Sequence, residues 1–339
     1  MTDVMERGSS MQNRTWGDGL ATTELGVGVA QFGNLYRETT DEASTQAIEA
    51  AWAAGIRYFD TAPHYGLGLS ERRLGAALRD RPRDAYVVST KAGRLLVPDP
   101  EGASRMDDGG FVVPATLRRE WDLSRDGIRR SLDESLERLG LDRVDILYLH
   151  DPDAHEDAAL REALPAMAQL RDEGVVGAIG AGMNQSAMLA RFAREAGIDV
   201  VMLAGRYTLL EQGALDDLLP AALEHDVAVV AAAIYNSGLL ATPRMSADAH
   251  YNYGAVPAEL LARARAIADV CDEFGITVPD AAVAFPLRHP AVASVVIGTR
   301  TAQHVTDAVA RYETTIPEEF WSELVARGLL DPRVQDVGR

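Results

Sequence analysis

The sequence predicts an α/β fold of the (β/α)8 TIM-barrel type, in a single domain with a long loop after the third strand. Short runs of Val, Ile, Leu and Ala alternate with helical patterns along the chain, as a parallel sheet covered by helices requires. About eight β/α units occur without a change of composition, which favours a closed barrel over an open, doubly wound sheet. No G-x-G-x-x-G motif stands between the first strand and the first helix, where a Rossmann fold would place it.

Eight apolar, β-prone runs are predicted to form the barrel strands. In chain order they lie near Leu25–Ala30, Ile56–Phe59, Ala85–Ser89, Val144–Leu149, Val175–Gly180, Val200–Ala204, Ala228–Ala233 and Ala293–Ile297. The segments between them have recognisable helix ends. Thr39 and Glu42 have capping-box spacing at the start of the first helix, and Gly55 follows its end. Before the fourth strand, leucines at helical spacing predict an amphipathic helix that ends at Gly140.

The predicted domain boundaries follow from the same pattern. Residues 1–14 are polar and rich in Met and Ser, so we expect a flexible N-terminus before a barrel that spans 15–330 and a tail at 331–339. From Gly93 to Trp121 the chain is rich in Gly, Asp and Pro and has no sustained periodicity. Because structureless loops of this length are usually binding loops, this segment is predicted to be a lid over the barrel mouth.

The charge balance limits the partners that the protein can have. The chain carries 33 Lys and Arg against 51 Asp and Glu, a formal net charge of −18. Such a field repels polyanions, so we expect neither nucleic acid nor an anionic membrane surface as a partner. Cys271 is the single cysteine, which excludes an intrachain disulfide and fits a reducing cytoplasm. No signal-peptide pattern and no apolar run of transmembrane length is found in the sequence.

Polar side chains follow the carboxyl ends of the predicted strands. Asp60 follows the second strand, Lys91 the third and His150 the fourth. In a (β/α)8 barrel these ends meet at one rim, where active sites are built. Residues after the later strands are expected at the same rim, namely Asn184, Tyr207, Tyr235, Asn236, Gly298, Thr299 and Arg300.

Asp60, Tyr65, Lys91 and His150 form a chemically coherent set. An unperturbed phenol titrates at about 10, so Tyr65 alone is a poor acid or base at neutral pH. A nearby Lys91 ammonium would stabilise the phenolate and lower its pKa, and Asp60 would supply the counter-charge of a buried lysine. His150 would orient the substrate oxygen. The set indicates proton transfer coupled to hydride chemistry at a carbonyl or carbinol carbon.

Structural interpretations of these residues remain open at this point. An Asp at a strand end is common turn chemistry, Lys91 could be a surface residue, and His150 could be a core histidine. A further alternative is a metal site formed by His150, Asp151, Asp153 and His155. Because Pro152 breaks any regular ligand spacing, the sequence favours loop and helix-cap chemistry there, and no metal is predicted.

The combined spacing resembles the Asp/Tyr/Lys/His tetrad of the aldo-keto reductases. The residues that carry the resemblance are Asp60-Thr61-Ala62-x-x-Tyr65-Gly66, Ser70-Glu71, Ser89-Thr90-Lys91 and Asp145-Ile146-Leu147-x-x-His150. It covers nearly the whole chain, from about Leu20 to Arg311. It implies a (β/α)8 barrel that binds NAD or NADP in an extended form, with Tyr65 as general acid/base. In this family pattern Lys91 and Asp60 tune the phenol, and His150 positions the substrate oxygen.

The resemblance also implies a cofactor site. Asn184 resembles the residue that holds the nicotinamide carboxamide, and Tyr207 resembles the aromatic residue that stacks on the ring. The loop that resembles the pyrophosphate cover contains Tyr235, Asn236, Ser237, Gly238, Leu239 and Leu240. The residues that resemble the adenosine end are Gly298, Thr299, Arg300, Gln303 and His304. The run Val296–Arg300 departs from the IPGxR of many NADP-preferring relatives, and Ala308 stands where a later Asn would fall. Arg300 could clamp a 2′-phosphate or stack on adenine, and the pattern leans to NAD.

Some stretches resemble the sugar-oxidising branch of the family, which includes L-fucose, L-galactose and D-threo-aldose 1-dehydrogenases. These are Gly33–Tyr36, Lys91–Leu96, the helix before the fourth strand, His150–Asp153 and GRYTLLEQ. This branch implies oxidation of the C1 hydroxyl of a cyclic aldose to a lactone, with carbohydrate metabolism as the setting. The residues expected to shape the substrate pocket are Phe32, Asn34, Arg94 and Trp321.

Three alternative functions are kept. Pyridoxal 4-dehydrogenases resemble the same branch, and a general aldehyde or ketone reductase would work in the opposite direction. A function of a different class is also open: the barrel could be a regulatory subunit that uses its bound cofactor as a sensor. In this it would resemble the potassium-channel β-subunits. Turnover with a sugar or a carbonyl compound distinguishes the enzymes from the sensor.

Overall fold

A computed structural model describes residues 11–246, 249–252 and 254–334. The strands are β1 Asn13–Trp16, β2 Leu20–Thr23, β3 Leu25–Gly28, β4 Tyr58–Asp60, β5 Val87–Ala92, β6 Arg94–Pro98, β7 Leu117–Trp121, β8 Val144–His150, β9 Val176–Met183, β10 Val200–Ala204, β11 Ala228–Ala232, β12 His250–Tyr251, β13 Gly254–Ala255 and β14 Val292–Gly298. The helices are α1 Asp41–Ala53, α2 Leu69–Leu78, α3 Arg125–Leu139, α4 Glu156–Ala158, α5 Leu164–Asp172, α6 Ser186–Glu195, α7 Leu218–Glu224, α8 Ala258–Glu273, α9 Val278–Leu287, α10 Ala302–Glu313 and α11 Glu318–Ala326. No helix within the described ranges is long and apolar enough to cross a membrane.

Eight of the strands close into one parallel barrel. Their order around the barrel is β3, β4, β5, β8, β9, β10, β11 and β14, and β14 pairs with β3 to complete the ring. These strands coincide with the eight apolar runs of the sequence, with ends that differ by a few residues. The predicted (β/α)8 fold is therefore confirmed. Each apolar run is buried on both faces because helices cover the outside of the barrel and side chains fill the inside.

The interior of the barrel is a packed core. Tyr58, Ile146, Tyr148 and Val230 are buried there, and Trp16 of the N-terminal hairpin packs against the same cluster. The hairpin formed by β1 and β2 thus lies across the amino ends of the strands. This leaves the carboxyl ends of the strands as the accessible mouth.

Arg14 fixes this N-terminal hairpin to the barrel. Its guanidinium donates to the carbonyl oxygens of Val292 at 2.6 Å and Leu287 at 2.7 Å, and its Nε lies 2.7 Å from Glu24 Oε1. Hydrogen bonds from a charged donor to buried carbonyls hold an otherwise exposed two-stranded ribbon in one position. Because Asn13 and Arg14 already belong to β1, the hairpin overlaps the end of the predicted flexible N-terminus.

The outer parts of both predicted terminal segments, residues 1–10 and 335–339, lie outside the described residues. At the C-terminal side the described chain still has contacts after residue 330. Val334 is 3% exposed, and Arg333 Nη2 lies 2.7 Å from Asp216 Oδ1. The packed part of the chain thus continues to Val334.

The prediction of a structureless loop over Gly93–Trp121 is wrong in part, because the segment contains an antiparallel hairpin. Strand β6 pairs with β7 from Arg94 opposite Trp121 to Pro98 opposite Leu117. The hairpin escaped prediction because β7, with the sequence LRREW, has no apolar alternation, and its residues are exposed or half-buried. Strand β6 is the buried strand of the hairpin, since Leu95 and Leu96, which point to its two faces, are both buried.

Candidate active site

The strands of the barrel bring three of the predicted residues to one side of the mouth. Asp60 is the last residue of β4 and His150 the last residue of β8, and Lys91 lies near the end of β5 between them. In the barrel register Asp60 is opposite Ser89, and Lys91 is opposite Tyr148. Residues from adjacent parallel strands thus project into the same region, as the sequence predicts.

Lys91 and Asp60 form a buried ion pair. Lys91 Nζ lies 2.9 Å from Asp60 Oδ1 and 2.7 Å from Asp60 Oδ2, and it donates a third hydrogen bond of 2.8 Å to the Thr61 carbonyl oxygen. The two side chains are 2% and 4% exposed. Burial acts to lower the pKa of Lys91, but the Asp60 carboxylate and the Tyr65 phenol outweigh it and leave this pKa above its ordinary value. Lys91 therefore stays an ammonium ion at neutral pH.

Tyr65 lies beside this ion pair in the turn that follows β4. Lys91 Nζ is 4.9 Å from the centroid of the phenol ring, and the His150 ring lies 5.8 Å away in an edge-to-face arrangement. Burial raises the pKa of Tyr65 above 10, while Lys91 opposes that rise. Lys91 thus acts in the predicted direction, but burial and the Asp60 charge outweigh it. The predicted net lowering of the Tyr65 pKa is not found.

The imidazole of His150 is held neutral. Burial is the main cause that places its pKa well below 6.5, and the charges of Lys91 and Arg94 add to it. A neutral imidazole can donate one hydrogen bond and accept another. His150 is therefore suited to orient a substrate oxygen without carrying a charge itself.

The loops that contain Gly33 and Gly66 pack against each other and hold Tyr65 in place. Gly66 has φ +63°, and a Cβ there would lie 2.3 Å from the carbonyl oxygen of Gly33. The two loops touch backbone to backbone, which explains why glycine follows the tyrosine. Behind them, Ser70 Oγ donates to the Val29 carbonyl at 2.7 Å and lies 2.9 Å from Thr61 Oγ1. Ser70, the first residue of the Ser-Glu dipeptide in the motif, thus supports the Tyr65 turn structurally.

Glu71 completes this support from helix α2. Its side chain is fully buried and accepts 2.6 Å and 2.7 Å hydrogen bonds from Arg138 Nε and Thr90 Oγ1. Thr90 precedes Lys91 on β5, so the carboxylate fixes the strand that carries the ammonium. A buried carboxylate with both a charged partner and a hydroxyl donor is satisfied.

His64 is a site residue that the sequence analysis missed. Its ring packs edge-to-face against Phe111, His150 and Tyr65, with centroid distances of 5.5, 5.6 and 6.1 Å. Burial, followed by Arg119 and Arg94, lowers the pKa of His64 to about 3. Its Nδ1 is buried without a hydrogen-bond partner among the described residues. The signal available in the sequence was its position directly before Tyr65.

The segment that joins β6 to β7 covers one side of the phenol. Phe111 lies 6.1 Å from the Tyr65 ring, and Arg119 Nη2 donates to the carbonyl oxygen of His64 at 2.9 Å. Arg119 also forms a bidentate pair with Asp107 at 2.6 and 3.0 Å. The predicted cover of the mouth is thus attached to the Tyr65 turn by specific hydrogen bonds.

The four predicted substrate residues do not converge on one place. Arg94 lies at the mouth, 3.3 Å from Asp151 Oδ2. Asn34 is 9% exposed; its side chain accepts from Thr39 N within its own loop and donates to the Val112 carbonyl of the β6–β7 segment. Phe32 is fully buried.

Trp321, predicted to shape the substrate pocket, lies in the outer helical layer instead. It lies on α11, is 2% exposed, and packs against Phe285 and Phe320 in the outer helical layer. Arg288 lies over its ring at 4.8 Å. The prediction rested on the aromatic character of Trp321 alone. Its apolar surface is instead used to pack helix α11 onto α9.

Tyr207, predicted to stack on the nicotinamide ring, is also buried in helix packing. Its ring is 2% exposed and packs 5.1 Å from Phe285 and 5.8 Å from His289. Both partners belong to helix α9 or directly follow it, outside the barrel. This position does not suit a ring that stacks on a nicotinamide at the mouth.

Several other predicted cofactor residues are accessible. Asn184 is exposed directly after β9, and Ser237, Gly238, Gln303 and His304 are exposed as well. Ser237 and Gly238 have φ +59° and +95°, so the turn presents its backbone. Tyr235 is half-buried, and its hydroxyl accepts from Arg311 Nη1 at 3.1 Å.

Other members of the predicted cofactor set serve the fold. Asn236 is 3% exposed and bonds Thr208 Oγ1 at 2.7 Å and the Gly205 carbonyl at 3.2 Å. Leu240 and Thr299 are fully buried. The Thr299 amide donates to the carbonyl of Gly28 at 3.0 Å.

Arg300 is anchored to the loop before α1. Its guanidinium donates to the carbonyl oxygens of Leu35 and Arg37 at 2.7 and 2.8 Å and to the Thr39 hydroxyl. The predicted 2′-phosphate clamp would need these same N–H groups. This geometry favours a structural role for much of the guanidinium.

The mouth also carries groups suited to a ligand with phosphate and amide groups. Gln31 Oε1 is buried without a partner among the described residues, and a Cβ on Gly298 would lie 2.6 Å from Gln31 Nε2. Helix α10 begins at Ala302 just beyond Gly298, and a helix N-terminus favours phosphate. An unsatisfied amide, a glycine at the strand end and an exposed Asn184 thus lie along the mouth.

A phenol beside a buried ammonium, at the mouth of a (β/α)8 barrel, defines a class of nicotinamide-dependent oxidoreductases. The profile of the Aldo/keto reductase family matches residues 24–327. The chain belongs to this family and is an NAD(P)-dependent oxidoreductase. The resemblance seen in the sequence is confirmed.

Individual proteins of known name are similar to the chain over most of its length. Over 315 residues the chain is 51% identical to D-threo-aldose 1-dehydrogenase of a Pseudomonas species, covering 92% of this chain and 96% of that protein. It is 39% identical over 329 residues to pyridoxal 4-dehydrogenase of Microbacterium luteolum, with the same coverage of 92% and 96%. An aldo-keto reductase from Bacillus halodurans, in its holo form, superposes with a TM-score of 0.75 at 24% identity, covering 95% and 97% of the two chains. The last similarity supports the fold alone.

Proposed function

We propose that the protein oxidises the C1 hydroxyl of a cyclic aldose to a lactone, with NAD or NADP as the hydride acceptor. The observation that carries this proposal is the position of Tyr65 beside the buried Lys91–Asp60 pair and next to neutral His150. The 51% identity to D-threo-aldose 1-dehydrogenase supports an aldose as the substrate.

In this proposal each member of the set has a separate task. Tyr65 takes the proton of the anomeric hydroxyl, while His150 holds the same oxygen by a hydrogen bond. Lys91 stabilises the phenolate, and Asp60 keeps Lys91 charged in a buried site. The bound nicotinamide supplies the hydride-accepting carbon.

The accessible residues of the mouth would hold the cofactor. Asn184 would bond the carboxamide, the turn at Ser237 and Gly238 would approach the pyrophosphate, and Gln303 with His304 would face the adenosine end. We propose NAD as the preferred form. The support is that Arg300, the predicted phosphate clamp, is already bonded to Leu35, Arg37 and Thr39.

We further propose a cytoplasmic enzyme whose partner is a small sugar or carbonyl compound. A net charge of −18 is unfavourable for nucleic acid and anionic membranes. The single cysteine, Cys271, is buried, and a chain that needs no disulfide fits a reducing compartment.

The test is a panel of aldoses with NAD+ or NADP+, followed by the absorbance of the reduced nicotinamide. Tyr65→Phe is expected to lower kcat by about 10²- to 10⁴-fold, because the acid/base group is lost while the ring remains. Tyr312→Phe is the matched control, since Tyr312 lies near the end of α10, where its hydroxyl donates to Glu24 Oε2 at 2.7 Å, away from the mouth. A Tyr65→Phe enzyme that retains full activity would refute the assignment.

Pyridoxal oxidation is the second candidate, favoured by the 39% identity to pyridoxal 4-dehydrogenase. Including pyridoxal in the same panel separates the two. Turnover of pyridoxal without turnover of any aldose would replace the first proposal by the second. Reduction of simple aldehydes alone would indicate a general carbonyl reductase.

A further inference from the structure

Asp151 directly follows His150 and turns its carboxylate toward the site. Its φ is +43°, a left-handed conformation that is unfavourable for a residue with a Cβ. Its amide donates to the carbonyl oxygen of Gly182 at 3.0 Å, which holds the turn. As a result Asp151 Oδ2 lies 3.5 Å from His150 Nε2.

Arg94 approaches the same carboxylate oxygen from β6. The distance from Arg94 Nη2 to Asp151 Oδ2 is 3.3 Å, and the two side chains are 16% and 41% exposed. Arg94 also lies over the ring of Trp121 at 4.6 Å. Cation–π packing of this kind limits the movement of the guanidinium. Arg94 is therefore held at the mouth rather than extended into solvent.

The geometry of this pair leaves hydrogen-bonding capacity unused. Charge-assisted N–H···O bonds are usually about 2.7–2.9 Å long and often bidentate. The pair has one longer contact, and within the described chain Asp151 Oδ1 accepts no hydrogen bond. The Asp151 side chain is 41% exposed, so its second oxygen is open to water or to a bound hydroxyl, unlike buried Asp107, which uses both oxygens with Arg119.

We propose that Arg94 and Asp151 together bind the hydroxyl group next to the reacting carbon, and that Asp151 selects polyhydroxylated substrates. This inference rests on the proposed aldose oxidation. His150 Nε2 marks the position of the reacting oxygen, and the hydroxyl of the neighbouring carbon lies within reach of a carboxylate 3.5 Å away. A hydroxyl can donate to Asp151 and accept from Arg94 at once, whereas a simple aldehyde offers neither group.

The test compares an aldose with its 2-deoxy counterpart in wild-type enzyme and in Asp151→Asn. We expect kcat/KM for the aldose to fall about tenfold, because asparagine keeps an acceptor oxygen but loses the charge that strengthens the hydrogen bond. We expect kcat/KM for the 2-deoxy sugar to change by less than about threefold, because that substrate has no hydroxyl to bind. Equal losses on both sugars would overturn the proposal.

Asp153→Asn is the matched control. It removes the same charge two residues further on, from an exposed side chain, and should change neither value. Arg94→Gln should repeat the selective loss on the aldose. A loss in Asp153→Asn as large as in Asp151→Asn would show a general charge effect and overturn the assignment.

Failure of the aldose proposal can be told apart from failure of this one. If wild-type enzyme oxidises no aldose, the comparison is made in reduction, with glyceraldehyde against propanal. Selective loss of glyceraldehyde turnover in Asp151→Asn would support the subsite independently of lactone formation. An unchanged ratio of the two aldehydes would overturn it.

Discussion

At the scale of single residues, the site depends on two opposite charges that are both out of contact with water. Lys91 and Asp60 are 2% and 4% exposed at their side chains. Each makes the burial of the other possible, since an isolated buried charge is strongly unfavourable. Tyr65 lies within the field of both, and the two charges act on its pKa in opposite directions. The balance between them is therefore open to measurement by substitution.

Lys91→Met is expected to move the pH dependence of oxidation upward. Oxidation needs deprotonated Tyr65, so kcat/KM rises as the pH approaches the pKa of this phenol. Lys91 lowers that pKa and Asp60 raises it, so losing the ammonium shifts the rise to higher pH. At neutral pH we expect a loss of about 10²-fold or more, measured as initial rates across a pH series.

The double variant Asp60→Asn, Lys91→Met removes both charges and is the control for folding. It should regain part of the stability that Lys91→Met loses, because no unpaired buried carboxylate remains. Its activity at neutral pH should stay low. A Lys91→Met profile that coincides with the wild-type profile would contradict the role assigned to Lys91.

At the scale of elements, the β6–β7 hairpin is the part of the mouth that can be altered without touching the barrel. Its connecting segment is joined to the Tyr65 turn by Arg119, which bonds both Asp107 and the carbonyl of His64. Asp107 is 3% exposed at its side chain. This guanidinium is thus the contact that joins the cover to the Tyr65 turn, while Asn34 holds the cover at Val112.

Arg119→Ala should loosen this cover. The buried Asp107 carboxylate would lose its charged partner and keep only the amide of Gly109, so the segment 99–116 should open and become more sensitive to protease. We expect KM for the sugar to rise about tenfold, with a smaller change in kcat, because the cover shapes the site but performs no proton transfer.

Arg118→Ala is the neighbouring control. Arg118 pairs with Glu120 on the exposed face, where the two side chains are 54% and 52% accessible, and such pairs contribute little. If Arg118→Ala and Arg119→Ala have the same KM and the same protease sensitivity, the hairpin does not act as the proposed cover.

The elements also show what could be predicted from the sequence. Uninterrupted apolar runs locate the barrel strands, and the residue at the end of each run then gives Asp60, Lys91 and His150 their common rim. The β6–β7 hairpin could not be found this way, because LRREW has no apolar period. Local pattern predicts an element only where burial imposes a period on it.

The direction of a side chain is harder to predict than its position in the chain. Tyr207 follows a barrel strand as expected, yet its ring packs outward on Phe285. Arg300 lies at the expected strand end, but its guanidinium is used by the loop at Leu35. These outcomes depend on contacts between distant segments, which the spacing of motifs does not encode.

At the scale of the whole molecule, buried histidines tie stability to pH. His289 is 4% exposed, its Nδ1 accepts from the amide of Ala291 at 3.2 Å, and burial lowers its pKa to about 4 from 6.5. Between these values the unfolded chain binds a proton that the folded chain does not. The unfolding free energy therefore decreases as the pH falls from about 6.5 toward 4.

His289→Asn should make the unfolding free energy less dependent on pH, because one fewer proton is taken up on unfolding. The asparagine oxygen can still accept from Ala291, but it does not titrate, so the variant should lose roughly 3 kcal/mol less on acidification across that window. The measurement is urea unfolding at several pH values. His225→Asn is the control at an exposed position. Parallel curves for wild type and His289→Asn would contradict the linkage.

The closure of β14 against β3 has a consequence for biosynthesis. At the seam Ser294 Oγ donates to the carbonyl oxygen of Thr23, 271 residues earlier in the chain. A ribosome adding roughly 5–20 residues per second needs on the order of a quarter to a full minute to deliver the last strand after the first. Throughout that interval the nascent sheet keeps two unpaired edges, so premature termination before Val292 would release a product prone to aggregate.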